Sequence, residues 1–281
     1  MEAIKMEELL KNSLASPPTL YNQLHQALNN PESTFEQFSR IIGSDSAFST
    51  RLLRIVNSPF YGYSTPIESL EEAIHILGID QLSVLALAAL VLDKFRGIPL
   101  DLVDMDSFWK HSIGCALAAR AIARKRKESK LERYYLAGLL HDIGALLLYK
   151  EIPVKARLNL SEARLDQKNI YEVERKNLGF DHAEVGGNLL KKWSLSDGYV
   201  EAAGFHHDPF QAEKDPVLVS IVHIADILAY RMELGQSGQP VIPPIVEESL
   251  MLVGLSEDDL NHLRSEILEH FNQTVALFLM E

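Results

Sequence analysis

Apolar residues recur along the chain every three to four positions, the spacing that lines one face of a helix. Strand-type alternation is nearly absent. The series opens with Leu20, Leu24, Ala27 and Leu28 and stops at Asn29-Asn30-Pro31. Ser33 and Thr34 precede FEQFSRII, with Glu36 three residues after Ser33, so a capping box is expected to start the next helix. Further helices are predicted over Phe48–Val56, Ser69–Leu77 and Asp80–Leu92, the last two separated by a Gly78 cap. Between them, Asn57 to Pro66 (NSPFYGYSTP) carries two prolines and a glycine and reads as a loop. Its aromatics Phe60, Tyr61 and Tyr63 either tuck onto the core or form a recognition surface.

The pattern breaks at Gly97-Ile98-Pro99. Beyond the break, helices are expected over Asp106–Arg124, Leu131–Lys150, Asn169–Asn177, His182–Lys192, Tyr199–His206 and Pro216–Met232. A turn-rich linker, Gly235–Pro244, leads to one or two closing helices within Glu247–Met280. This predicts an all-α protein in three parts: residues 1–100, 101–232 and 233–281.

Composition narrows the function classes. The chain has 281 residues, 47% of them hydrophobic, enough for a generous core. A net charge of -12 argues against non-specific nucleic-acid binding, which needs a basic face. The N-terminal MEAIKMEELL carries acids where a signal peptide would carry bases. The longest uncharged apolar stretch, Leu82–Leu92, falls short of the roughly 20 residues that span a bilayer. Cys115 stands alone, which excludes a disulfide within the chain. A cytoplasmic protein away from membranes is expected.

One feature sits badly in a plain helical core. His141 and Asp142 stand side by side inside YLAGLLHDIGALLLY, flanked by leucines, and burying both is costly unless something pairs with them. A metal ion is the natural partner, since imidazole and carboxylate both ligate metals. His111, His182, the doublet His206-His207 and Asp226 supply further ligand types, so five of the ten histidines join two carboxylates, enough for two ions. Each also has an ordinary explanation, such as a histidine ending a helix or an ion pair between His223 and Asp226. Adjacent helical residues diverge by about 100°. Asp142 therefore bridges two ions more comfortably than it shares a single one with His141.

The order H…HD…H…HH…D resembles the HD superfamily of metal-dependent phosphohydrolases, and the chain as a whole resembles its HDOD family. The resemblance rests on PPTLYNQLHQAL, IIGSDSAFSTRLLRIVNSPFYGY and IESLEEAIHILGIDQL in the first half. In the second it rests on WKHS, LLHDIGALLLY, LGFDHAEVGGNLLKKW, FHHDP and IVHIADILAY. It implies an HD-type helical bundle preceded by an N-terminal helical subdomain. His111, His141, Asp142 and Asp226 would be the core ligands, and His182, His206 and His207 would complete a second ion, as in the related HD-GYP phosphodiesterases. Two departures make cyclic di-GMP hydrolysis an unexpected activity: Ala145 replaces a lysine, and DPFQAEKDP replaces the GYP segment.

Such a ligand set suits iron, manganese, zinc or nickel. A phosphate substrate would need further positive charge, for which Lys191, Lys192 and Arg175 are weak candidates, each also explained as solvated surface. Two functions follow from the resemblance. One is a bacterial signal-transduction module with a structural or sensory metal site and a regulatory protein partner. The other is a phosphohydrolase acting on a nucleotide or other phosphoester.

Overall fold

The computed structural model describes residues 4–12, 15–30, 32–57, 65–95 and 97–279, and every regular element among them is helical. The chain divides into two compact units: residues 17–96 with 269–281, and residues 1–16 with 97–268. No described helix is long and apolar enough to cross a membrane.

Helix α1 (Met6–Lys11) belongs to the larger unit. The smaller unit holds α2 (Thr19–Leu28), α3 (Phe35–Gly43), α4 (Ser46–Val56), α5 (Leu70–Leu77) and α6 (Ile79–Lys94). Its core is Leu24, Phe38, Ile42, Phe48, Leu52, Ile74 and Leu82, each at most 3% exposed. Burying one such side chain contributes about 1.5–3 kcal/mol. Thr34, rather than Ser33, caps α3 by accepting the Gln37 N–H at 3.3 Å, because Thr34 holds the extended backbone an N-cap requires. Most of the expected aromatic loop, with Phe60, Tyr61 and Tyr63, lies outside the described residues. At its base, Asn57 donates to the Ile67 carbonyl at 2.7 Å and accepts the Ile67 N–H at 2.6 Å.

The larger unit continues with α7 (Met105–Lys125), α8 (Leu131–Leu140), α9 (Ile143–Glu151), α10 (Pro153–Asp166), α11 (Ile170–Leu178) and α12 (His182–Lys192). It is completed by α13 (Asp197–Phe205), α14 (Pro216–Arg231), α15 (Glu247–Val253) and α16 (Glu257–Leu279), the last up to Leu268. Helix α14 begins on a Pro216 first turn capped by Asp215 and is buried on all sides from Leu218 to Tyr230. It packs on α7, which packs in turn on α8, while α12 packs on α9 and α13.

Two glycines set how closely these helices approach. At Gly138, an added Cβ would lie 2.8–2.9 Å from the backbone of Cys115 and Ala116. At Gly144, it would collide with the His182 carbonyl and the Gly186 backbone. The HDIG glycine is thus the contact that lays α9 directly on α12.

The single helix expected over Leu131–Lys150 is two helices. His141 and Asp142 form a tight turn between them, where Asp142 leaves helical geometry (φ -94°, ψ 11°) and its carbonyl accepts the Ala145 N–H. The turn lets both side chains enter one interior, which an unbroken helix would forbid. Helices α1 and α10 do not register in the periodicity. The first is only six residues long, and α10 splits its apolar residues between buried Ala156, Leu160 and Ala163 and exposed Val154, Leu158 and Leu165.

Candidate metal centre

All seven residues with ligand chemistry converge inside the larger unit. Helix α7 brings His111, the α8–α9 turn His141 and Asp142, and the first residue of α12 His182. His206 and His207 follow the end of α13, and α14 brings Asp226. Six are at most 4% exposed; His207 is half-buried.

The two oxygens of Asp142 face different partners. Oδ2 lies 3.3 Å from Nε2 of His141 and 4.0 Å from Nε2 of His111. Asp226 Oδ1 joins that side, 2.9 Å from His111 Nε2 and 3.5 Å from His141 Nε2. Oδ1 of Asp142 lies 3.4 Å from His182 Nε2 and 3.5 Å from His206 Nε2. His207 Nε2 completes this second side, 2.9 Å from His182 Nε2.

Most of these separations are too long for good hydrogen bonds. They match the edges of a coordination shell, in which ligand atoms about 2.0–2.2 Å from one ion stand about 3–4 Å apart. Three groups of donors lie within 4.8 Å of one another: His182, His206 and His207; His111, His141 and Asp226; His141, Asp142 and His206. His141 Nε2, His206 Nε2 and Asp142 Oδ1 are buried without a hydrogen-bond partner, a costly state for polar atoms that an ion relieves. The donor set therefore fits a divalent metal.

In three of the rings the other nitrogen is fixed by a neighbour. Nδ1 of His141 faces the Gly138 carbonyl at 2.7 Å, and Nδ1 of His206 the Ala203 carbonyl at 2.9 Å. A carbonyl only accepts, so both Nδ1 atoms carry a proton and Nε2 is the nitrogen each ring turns to the interior for ligation. Glu174 does the same for His182: its Oε2 accepts from Nδ1 at 2.6 Å and from the His182 backbone N–H at 2.9 Å. His111 is held instead by the Tyr230 ring, with centroids 4.1 Å apart. Tyr171 stacks on His207 at 4.3 Å.

The charges interlock. Burial alone would raise Asp142, yet the imidazoles of His141, His182 and His206 hold it well below the usual carboxylate range. Asp226 is lowered in the same way by His111 and His141, against its own burial. Burial works against protonated His141 and His182, but Asp142 on the first, and Glu174 with Asp142 on the second, raise both well above ordinary histidine. Burial and then His206 and His182 push His207 well below it.

The sequence-based candidates that do not join the cluster are cationic. Lys191 and Lys192 are exposed at the far end of α12, about 15 Å along the axis from His182. Lys192 donates to the Leu10 carbonyl. Arg175 pairs with Asp181 at 2.5 Å and lies 5.2 Å over the Tyr171 ring. His223 does not pair with Asp226; its Nδ1 faces the His206 carbonyl at 2.7 Å and its Nε2 accepts the Val246 N–H at 3.1 Å. Sequence reasoning missed Glu174 and Tyr230. Glu174 lies eight residues before His182 on another helix, so no local spacing points to it.

Fold and cluster together define an all-α bundle with a buried His/Asp set whose donors fit a metal ion. A family model for the HDOD domain matches residues 14–209, and the chain belongs to that family. Among solved structures, an HDOD domain protein of unknown function from Geobacter sulfurreducens is 25% identical, with a TM-score of 0.78, covering 98% of this chain and 97% of that one. A Shewanella amazonensis protein described as a candidate phosphohydrolase is 23% identical, with a TM-score of 0.77 over 99% and 98% of the two chains, a likeness of fold. An uncharacterised Treponema pallidum protein is 24% identical over 80% of this chain and 44% of its own length. The cyclic di-GMP phosphodiesterase CdgJ of Vibrio cholerae is 27% identical over 66% of this chain and 48% of its own. The chain thus spans about half the length of the curated relatives it matches.

Proposed function

We propose that this is a bacterial HDOD-type regulatory module built around a binuclear divalent-metal centre, acting in the cytoplasm through a protein partner. His111, His141, Asp142 and Asp226 would hold one ion; His182, His206, His207 and the other oxygen of Asp142 would hold the second. The observation that carries the reading is Asp142, whose two oxygens face two separate imidazole groups with buried, unpartnered nitrogens. Iron, manganese, zinc and nickel all suit such donors.

A second reading, hydrolysis of a small phosphoester, is favoured by one feature. A cavity of about 280 Å³ reaches His207 and Asp226 from outside, whereas a purely structural ion needs no such opening. Divalent ions at the site would polarise phosphoryl oxygens and acidify water. The chain's own residues hold the rings in one tautomer through Gly138, Ala203 and Glu174, and shield the interior with Tyr230 and Tyr171. Assaying protein loaded with each metal against phosphomonoesters and phosphodiesters tests the choice. Turnover abolished by Asp142→Ala supports the hydrolase. Metal-loaded protein without turnover, and with a partner whose capture is lost on metal removal, supports the module.

A further inference from the structure

The cavity over the cluster has two walls of different origin. One is the start of α11, with Asn169, Tyr171 and Glu172; the other comes from Pro243, Pro244 and Val246 of the segment between α14 and α15. That segment is pinned over residues 235–239 and again at Val246. Gly235 (φ +91°) lies so close to the Ser107 carbonyl and the His111 backbone that a Cβ would collide, and the Gln236 N–H donates to the Ser107 carbonyl at 3.0 Å. The Tyr149 hydroxyl donates to the Ser237 carbonyl at 2.7 Å, and the same hydroxyl leaves no room for a Cβ at Gly238 (φ +115°). The Gln239 side chain accepts the Ile170 N–H at 2.7 Å and donates to Asn169 Oδ1 at 3.1 Å, tying one wall to the other. At the far end, Val246 is held through His223 to the carbonyl of His206. The segment is therefore a strap fastened beside His111 at one end and His206 at the other.

We propose that this strap, residues 235–246, together with Glu172 across the cavity, determines which ligands reach the centre. It admits a compact ligand bearing one phosphate group and excludes ligands with a second phosphate or a large base. The inference rests on the metal-centre reading above. Size agrees with it: the cavity holds about 280 Å³, just under the roughly 300–1,000 Å³ of pockets that enclose drug-sized ligands. Charge supports it independently. None of the lining residues is a lysine or arginine, and Glu172 contributes a carboxylate. The neighbouring Arg175 is engaged by Asp181 and Tyr171. A second phosphate would meet repulsion with no compensating cation. Tyr171 stacks on His207, so that face of its ring is already covered.

The test uses the full chain loaded with manganese, its metal content measured first. Calorimetric titrations with inorganic phosphate and with cyclic di-GMP then follow. Inorganic phosphate should bind only to metal-loaded protein, and the dinucleotide should bind at least about tenfold more weakly. The double variant Pro243→Gly/Pro244→Gly, and separately Glu172→Gln, should each narrow that ratio by about tenfold. Glu172 is exposed, so its variant carries the test if the strap variant fails to fold. Equal binding of the two probes by the wild type, or an unchanged ratio in folded, metal-loaded variants, would overturn the proposal. Wild-type protein that takes up no metal would instead defeat the metal-centre reading, and the proposal with it.

Discussion

Replacing Glu174 by glutamine changes one charge and leaves the shape of a buried side chain. Its Oε2 accepts two hydrogen bonds from His182, at 2.6 and 2.9 Å, on the side proposed to hold the second ion. Loss of such a supporting carboxylate typically weakens metal affinity 10–100-fold, about 1.4–2.7 kcal/mol. The loss should fall on the ion held by His182, His206 and His207, and spare the one held by His111, His141 and Asp226. Under a chelator that leaves wild-type protein loaded, the variant should drop from about two ions to about one. With metal in excess, the same free energy lowers the melting temperature by roughly 3–10 °C for a unit of this size. A competition titration with a coloured chelator, paired with thermal melts, reads both quantities. Equal weakening of both ions, or no weakening of either, would refute the assignment of Glu174 to His182 alone.

Gly144→Ala forces a methyl group into the backbone of His182 and Gly186, and should cost about 1–3 kcal/mol in chemical denaturation while also loosening the second ion. A neutral outcome would mean that α9 and α12 are not in contact at the HDIG glycine. Metal affinity should rise with pH, because the imidazoles of His141 and His182, raised well above 6.5 in the metal-free protein, must shed protons before they ligate. The metal-free protein should behave in the opposite sense. Groups whose folded pKa is raised contribute stability that is complete below pH 6.5 and is lost as pH climbs through the folded value. Denaturation of apo protein at pH 6.5 and 8.5, beside metal titrations at the same values, checks both signs.

Much of the centre could be read from residue types, since a histidine and an aspartate flanked by leucines demand a partner and the other five ligands lie on or beside helices. The turn at His141-Asp142 could not, because Leu136, Leu139, Leu140, Ile143 and Leu146 continue a helical pattern straight through it. What breaks the helix is the demand that two adjacent side chains share an interior, a tertiary effect. Glu174 and Tyr230 were hidden for the same reason, as each reaches its histidine from a different helix. Lys191 and Lys192 are near His182 in sequence, but along a helix that nearness becomes a distance of about 15 Å. The strap reads as an ordinary linker from its glycines and prolines; Gly235 and Gly238 are there because α7, α9 and α10 leave no room for side chains.

The bridging role proposed for Asp142 is the central claim. Elemental analysis of purified chain, loaded with manganese or iron and passed over a chelating column, counts ions per chain for the wild type, His207→Ala and Asp142→Ala. The proposed arrangement predicts about two, about one and about none, since His207 would hold one ion and Asp142 both. A wild type holding a single ion, or an Asp142→Ala variant that keeps the wild-type count, would contradict it.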